Sequence, residues 1–329
     1  MRWHSRRTRA LAVQVGLVVV LALLVGWLLA NTLANMRARG IQSGFGFLLD
    51  TSGFDIGESL IAFDSEQPYW RAFLVGLLNT LRVSITGIVL CTVLGTLVGI
   101  GRVSSNALAR GLCYVYTELL RNVPILLQLL MWYVLLVEWM PDAEAPLQAW
   151  DSVFLSKGGL ALPWLAWDEG AWTSRVLWEL PALVEGEVRG GLIISPEFLA
   201  VTLGLTLYTS AFVAEVVRSG LQSVARGQLE AARSLGLSSW LTLRHVVLPQ
   251  AMRVIVPPMT NQYLNLTKNS SLAVAIGYPD LVNISNTALN QTGRAVECIA
   301  IIMALYLALS LLTSALMNAY NRRVAIAER

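Results

Sequence analysis

Runs of about twenty consecutive apolar residues recur along this chain, each long enough to cross roughly 30 Å of hydrocarbon as a helix, and that recurrence constrains the fold more than any other feature. They lie near 11–30, 73–100, 120–137, 197–217, 251–276 and 296–319, the third and fifth interrupted by polar residues and prolines. The pattern predicts an all-α polytopic membrane protein with about six transmembrane helices. Composition agrees: 55% of the 329 residues are apolar and only 14% are charged, far from the balance of a soluble enzyme. The first run follows "MRWHSRRTRA", but it is long and lacks a small-x-small cleavage site, so it reads as a retained anchor.

Arginine placement orients the spans. Arg2, Arg6, Arg7 and Arg9 precede the first, Arg102 and Arg110 follow the second, Arg218, Arg226, Arg233 and Arg244 follow the fourth, and Arg322 and Arg323 follow the last. Both termini are therefore expected in the cytoplasm. The stretch 138–195 falls on the opposite side, where Asp142, Glu144, Asp151, Asp168, Glu169, Glu179, Glu185 and Glu187 outnumber Lys157, Arg175 and Arg189. It also holds Trp150, Trp164, Trp167, Trp172 and Trp178, suited to the membrane interface as a cap, or to docking an external partner.

Several functions are excluded by what the chain lacks. Its only two histidines, His4 and His245, fall outside the spans, which leaves no metal set or nucleophile–base pair for an intramembrane hydrolase. No G-x-x-x-x-G-K-[ST] loop occurs, so nucleotide hydrolysis is expected from another chain. Cys91, Cys113 and Cys298 have no metal-like spacing and read as small hydrophobes, and no cofactor or metal is expected. The net charge of +3 is spread over short segments, which argues against nucleic-acid binding.

One stretch between the fourth and fifth spans, within 218–249, is too polar to cross a bilayer: "EAARSLGLSSWLTLRHVVLP", Glu230 to Pro249. A short helix, a turn at Gly236 and a second helix are predicted, with Leu229, Ala232 and Leu235 forming an apolar face able to dock into a groove of another protein. Glu230 supplies charge near the helix start, Ala231 and Ala232 permit close approach, and Leu248 and Pro249 end the segment. The spacing of Glu230, Ala231, Ala232, Gly236, Val246, Leu248 and Pro249 resembles the EAA loop of ABC importer permeases, with Val246 where that pattern has Ile. "YTELLRNVPILLQLLMWY" and the region from about Gly76 onward resemble permeases for polar amino acids. "GFDIGESLI" and "YLNLTKNSSLAVAIGYPDLV" resemble a permease subunit of the general L-amino acid importer of Gram-negative bacteria.

The resemblance implies a type I ABC importer permease fold: an anchor helix and periplasmic segment over 1–72, then a permease domain over 73–321 with the insert 138–195 and the coupling loop 218–249. It implies a cytoplasmic ATPase dimer bound through the loop, a second permease that is a related chain or a copy, a periplasmic amino-acid-binding protein, and an L-amino acid as cargo. A permease for another small polar solute and a passive channel are the competing readings. Arg82 stands where chains of the family it resembles usually have an apolar residue, and snorkelling or pore lining are the readings open to it.

Polar residues within a span face a bundle interior or a water-filled path. The fifth span is rich in them: Thr260, Asn261, Asn265, Thr267, Lys268, Asn269, Ser270 and Ser271. Lys268 with Asn261, Asn269 and Ser271 is suited to hold the carboxylate and ammonium of a zwitterion, unless Lys268 snorkels at the outer interface. Tyr208, with Thr209 and Ser210, lines the same path or binds helix to helix. Glu118 is expected to pair with Arg121, and Glu215 with Arg218.

Overall fold

The computed structural model describes residues 6–324 apart from 39, 41–42, 151, 168–175 and 185. The expectations resting on Arg2, His4, Asp151, Asp168, Glu169, Trp172, Arg175 and Glu185 lie outside the described residues. Ten α-helices carry the chain: α1 (Arg6–Ala38), α2 (Tyr69–Arg102), α3 (Ala107–Asn122), α4 (Ile125–Glu138), α5 (Pro196–Gln222), α6 (Arg226–Ser234), α7 (Ser239–Thr242), α8 (Leu248–Asn269), α9 (Leu281–Thr292) and α10 (Ala295–Val324). Among the described residues four are long and apolar enough to cross a membrane, Ala10–Met36, Tyr69–Arg102, Pro196–Gln222 and Ala295–Arg322, and α3 with α4 makes a fifth if the bent pair is one span.

The expected third span is corrected. It starts at Ala107 and is broken into α3 and α4, which meet at 104°. Pro124 has no N–H to continue the helix and forces Val123 into extended backbone. Buried Gln128 stabilises the corner by donating to the carbonyls of Leu120 and Val123, at 2.8 and 2.9 Å. The expected fifth span also differs: α8 passes into a 3-10 turn (Ser270–Ile276), reverses hand at Gly277 (φ 79°) and restarts as α9, capped by Asp280.

α2 and α5 form the centre and run parallel. Gly95 lies against Val213 and Gly99 against Ala214 and Val217, so close that a methyl group at Gly95 would sit 2.6 Å from Val213 Cβ. α8 lies alongside, with Leu266 over Gly87 and the Tyr263 hydroxyl 2.8 Å from Thr92 Oγ1.

The insert departs from an all-α reading. It folds into eight short strands, β1 (Leu147–Ala149), β2 (Val153–Ser156), β3 (Gly159–Leu162), β4 (Trp164–Trp167), β5 (Val176–Glu179), β6 (Ala182–Val184), β7 (Glu187–Arg189) and β8 (Leu192–Ile194). β1-β2-β3-β8 make one antiparallel sheet, with Phe154 opposite Ala161 and both buried, while β4–β5 and β6–β7 are separate hairpins. The fold is thus helical through the membrane, with a small β cap at one end.

Arg82 acquires a partner that sequence reading did not supply. The strap preceding α2 descends beside it, so that Glu58 pairs with Arg82 and accepts from the Ser195 hydroxyl. Asn79 Nδ2 donates to the Glu58 carbonyl at 2.8 Å, and the Arg82 guanidinium lies 4.2 Å from the Phe198 ring centre. Removing one member of a largely buried pair leaves the other uncompensated. Arg82→Leu is therefore expected to speed proteolysis of the strap around residue 58, and Arg82→Leu/Glu58→Leu to do so less; equal cleavage in both would show that the pair does not hold the strap.

Candidate functional site

The segment between α5 and α8 is built from local rules. Helix α6 ends in a Schellman motif: Gly236 adopts φ 71°, its N–H donates to the Arg233 carbonyl at 2.9 Å, and Leu237 N–H donates to the Ala232 carbonyl at 3.1 Å. Ser238 then caps α7, its hydroxyl accepting from Leu241 N–H at 3.4 Å. Pro249 cannot donate to the carbonyl four residues back, and Leu248 N–H reaches instead to Leu243, opening a π turn over Leu243–Val247 that leads into α8. The helix, turn and second helix lie where the spacing places them.

Two details differ from the sequence expectation. Glu230 is the fifth residue of the nine in α6, mid-helix and not at its start. The apolar face does not point outward as a unit: Ala232 is buried and Leu229 turns toward Val224, Leu243 and Val247 of its own chain. What α6 exposes is Arg226, Gly227, Gln228, Glu230, Ala231, Arg233 and Ser234, and the turn after it adds Leu235 and Gly236. Gly236 has no atom within 4 Å of where a β-carbon would stand.

Behind the loop, Glu215 does pair with Arg218, and it binds Arg102 as well, at 2.8 Å. Arg102 also donates to Thr117 Oγ1 at 2.9 Å, so α2, α3 and α5 are joined where they meet the loop. The expected Glu118–Arg121 pair does not form; Arg121 lies over the Phe212 ring, 5.2 Å from its centre.

Beyond its first residue, Leu248, the exposed positions along α8 are Arg253, Val254, Pro257, Asn261, Asn265 and Lys268. At 3.6 residues per turn these lie on one face, and all but Val254 and Pro257 are polar. Pro257 and Pro258 also leave the carbonyls of Arg253 and Val254 without their usual helical donors. The pairing of Tyr263 with Thr92 and of Leu266 with Gly87 sets Lys268 beside the middle of α2. From the other flank, Lys268 and Ser271 border a groove of about 400 Å3 with Tyr306 and Ser310, near the middle of α10. Lys268 is the last residue but one of α8, at the end remote from the loop and about level with Arg82 of α2 and the head of α5.

The remaining sequence candidates divide. Asn269 is half-buried beside this face, and the Ser271 hydroxyl donates to the Lys268 carbonyl at 2.7 Å. Tyr208 is elsewhere: its ring stacks on Phe212 at 5.0 Å, toward α3. Its neighbour Ser210 is 2.7 Å from the Tyr116 hydroxyl, a helix-to-helix contact. Asn265 was visible in the sequence as part of the polar run, and the helical period places it between Asn261 and Lys268.

Residues 91–326 match the family described as binding-protein-dependent transport system inner membrane component. Among curated proteins, the chain is 43% identical to the putative amino-acid ABC transporter permease protein YhdX of Escherichia coli K12, over 98% of this chain and 95% of that one. It is 39% identical to the general L-amino acid transport system permease protein AapQ of Rhizobium johnstonii, over 99% and 94%. Among solved structures, an amino acid ABC transporter crystallised with histidines superposes with TM-score 0.57 at 27% identity, covering 78% of this chain and 95% of that one. The methionine ABC transporter MetNI, at 16% identity and TM-score 0.54 over 78% and 98%, shares the fold. The chain thus belongs to the binding-protein-dependent transport system inner membrane components, a family of membrane-spanning transport subunits.

Proposed function

We propose that this chain is the membrane-spanning permease of an ATP-driven importer carrying L-amino acids from periplasm to cytoplasm, and that the exposed polar face of α8 is its wall of the path. The observation that carries the reading is that row: Arg253, Asn261, Asn265 and Lys268 on one side of a helix packed against the membrane-length helices α2 and α5. Hydrocarbon would leave these groups unsolvated, so the face requires water, cargo or a second permease opposite it. An ammonium among amide groups suits a carboxylate and its neighbouring ammonium, the ends every L-amino acid shares. The names of the relatives agree with that cargo.

The loop 218–249 serves as the handle of a cytoplasmic ATPase dimer, with Glu230, Ala231, Ala232, Gly236, Leu248 and Pro249 shaping it. The α2–α5 pair, joined through Glu215 and Arg102 and continuous with the loop at the end of α5, carries the motion along the bundle, and the path opens alternately to a periplasmic binding protein and to the cytoplasm. Both termini then lie in the cytoplasm.

Uptake decides the reading. The chain, its co-purifying permease and ATPase in proteoliposomes should accumulate labelled L-amino acids only with ATP and binding protein; uptake without ATP would identify a passive channel. Orientation has its own measurement. Single cysteines at Ser238 and Glu144, both exposed, in a background without Cys91, Cys113 and Cys298, should react from opposite sides of the membrane, Ser238→Cys from the cytoplasm alone. Ser156 is buried at 5% exposure and would not report. Reaction of both from one side would overturn the topology.

A further inference from the structure

On the side of α8 opposite the polar row, two apolar hollows run together. One, of about 390 Å3, is lined by Met252 and Met259 of α8, with Ile100 of α2, Leu221 of α5 and Leu248. The other, of about 370 Å3, shares Ile100, Leu221 and Leu248 with the first and continues to Trp240 and Arg244 beside the loop. Together they form a groove from just below mid-depth to the loop end of the bundle. Its inner end is closed by Thr92 and Tyr263, whose hydroxyls satisfy each other.

We infer that this groove is a binding site for one anionic phospholipid of the leaflet next to the loop, with an acyl chain along Met252 and Met259 and the phosphate at Arg244. Water is a poor occupant, because the lining offers almost no polar partners and the rim is apolar: Ile100 is 51% exposed and Leu248 45%. A second permease is placed by the polar row on the other side of α8, half a helical turn away. The charge pattern fits a lipid. Trp240 and Arg244 are both exposed where the groove leaves hydrocarbon, an indole suited to the headgroup layer and a guanidinium suited to a phosphate. Leu229 of α6 lines the same outer end, so the lipid supports the inner face of the loop helix.

Assignment to the cytoplasmic leaflet rests on the orientation proposed above, which the cysteine labelling tests separately. The site itself is tested on the whole transporter in nanodiscs containing phosphatidylglycerol with a diazirine at the chain terminus. Adducts are expected on Met252–Met259 and to be lost in Met252→Trp, which fills the groove, while adducts on Leu311, a 62% exposed position of α10, persist. Arg244→Gln should lower the preference for phosphatidylglycerol over phosphatidylcholine at this site by about fivefold, the equivalent of one interfacial charge. Adducts on α8 no stronger than at Leu311, adducts undiminished in Met252→Trp, or cross-links from these methionines to the second permease would overturn the site. An unchanged lipid preference in Arg244→Gln would overturn the headgroup position.

Discussion

Gly236→Asp is expected to leave the protein in the membrane and to eliminate substrate-stimulated ATP hydrolysis. Within the chain the substitution meets nothing, since no atom stands within 4 Å of the new β-carbon, and the local cost is that of holding φ 71° without a glycine. That cost is about 1–2 kcal/mol for most residues and less for Asp or Asn, which bond their own backbone. A larger loss must therefore come from the surface that covers the turn. If an ATPase packs there, a buried unpaired carboxylate costs about 3 kcal/mol or more, a loss of assembly exceeding about a hundredfold. Gly236→Asn separates the two causes, because it accepts the same backbone without charge. Full coupling in Gly236→Asp would remove the loop from the ATPase interface; equal losses in Asp and Asn would point to the bulk of the side chain.

Lys268→Met should reduce uptake per inserted molecule by about tenfold to a hundredfold, the equivalent of losing one charge-assisted hydrogen bond of roughly 1.5–3 kcal/mol. Its position at the far end of α8 sharpens the test: if the side chain only snorkels to the outer interface, Lys268→Arg should match wild type and Lys268→Met should mainly lower membrane abundance. Asn261→Ala and Asn265→Ala, on the same face, should each cost about fivefold, as should Asn269→Ala at most, since a neutral hydrogen bond contributes about 1 kcal/mol. Ser271→Ala should matter least, its hydroxyl being committed to the Lys268 carbonyl. Uptake and membrane abundance measured together decide: undiminished uptake per inserted Lys268→Met molecule would exclude Lys268 from the path.

What could be read in the sequence was what local chemistry determines. Gly236 holds the turn because only a residue tolerant of positive φ ends a helix that way, and the Leu-Pro pair marks the start of α8 because proline breaks the preceding ladder. Pro124 marked an interruption of the third span, but the 104° turn there was hidden, because hydropathy does not register direction. The cap strands, three or four residues each, are too short to establish a period of two, and their tryptophans read equally well as interface residues. Leu229 was placed on a docking face because helical spacing defines a stripe without saying which neighbour covers it. Most of all, partners distant in sequence were invisible: Arg102 to Glu215, and Arg82 to Glu58 and Phe198.

The Arg82–Glu58–Ser195 junction has a consequence for how the chain is made. An arginine within an emerging helix opposes its insertion, by at most about 2.5–3.5 kcal/mol, the cost at the helix centre. Glu58 lies 24 residues ahead of Arg82, so it leaves the ribosome first and, in the orientation proposed above, is already across the membrane when α2 enters the translocon. The carboxylate thus waits on the far side for the cation, drawing the helix into place at the moment its charge is most costly. Ser195 follows much later, at the head of α5, and its hydroxyl joins only when that helix has arrived. The order of synthesis and the order of assembly coincide at this one ion pair, and a chain that stalls before α5 retains a junction lacking one of its three members.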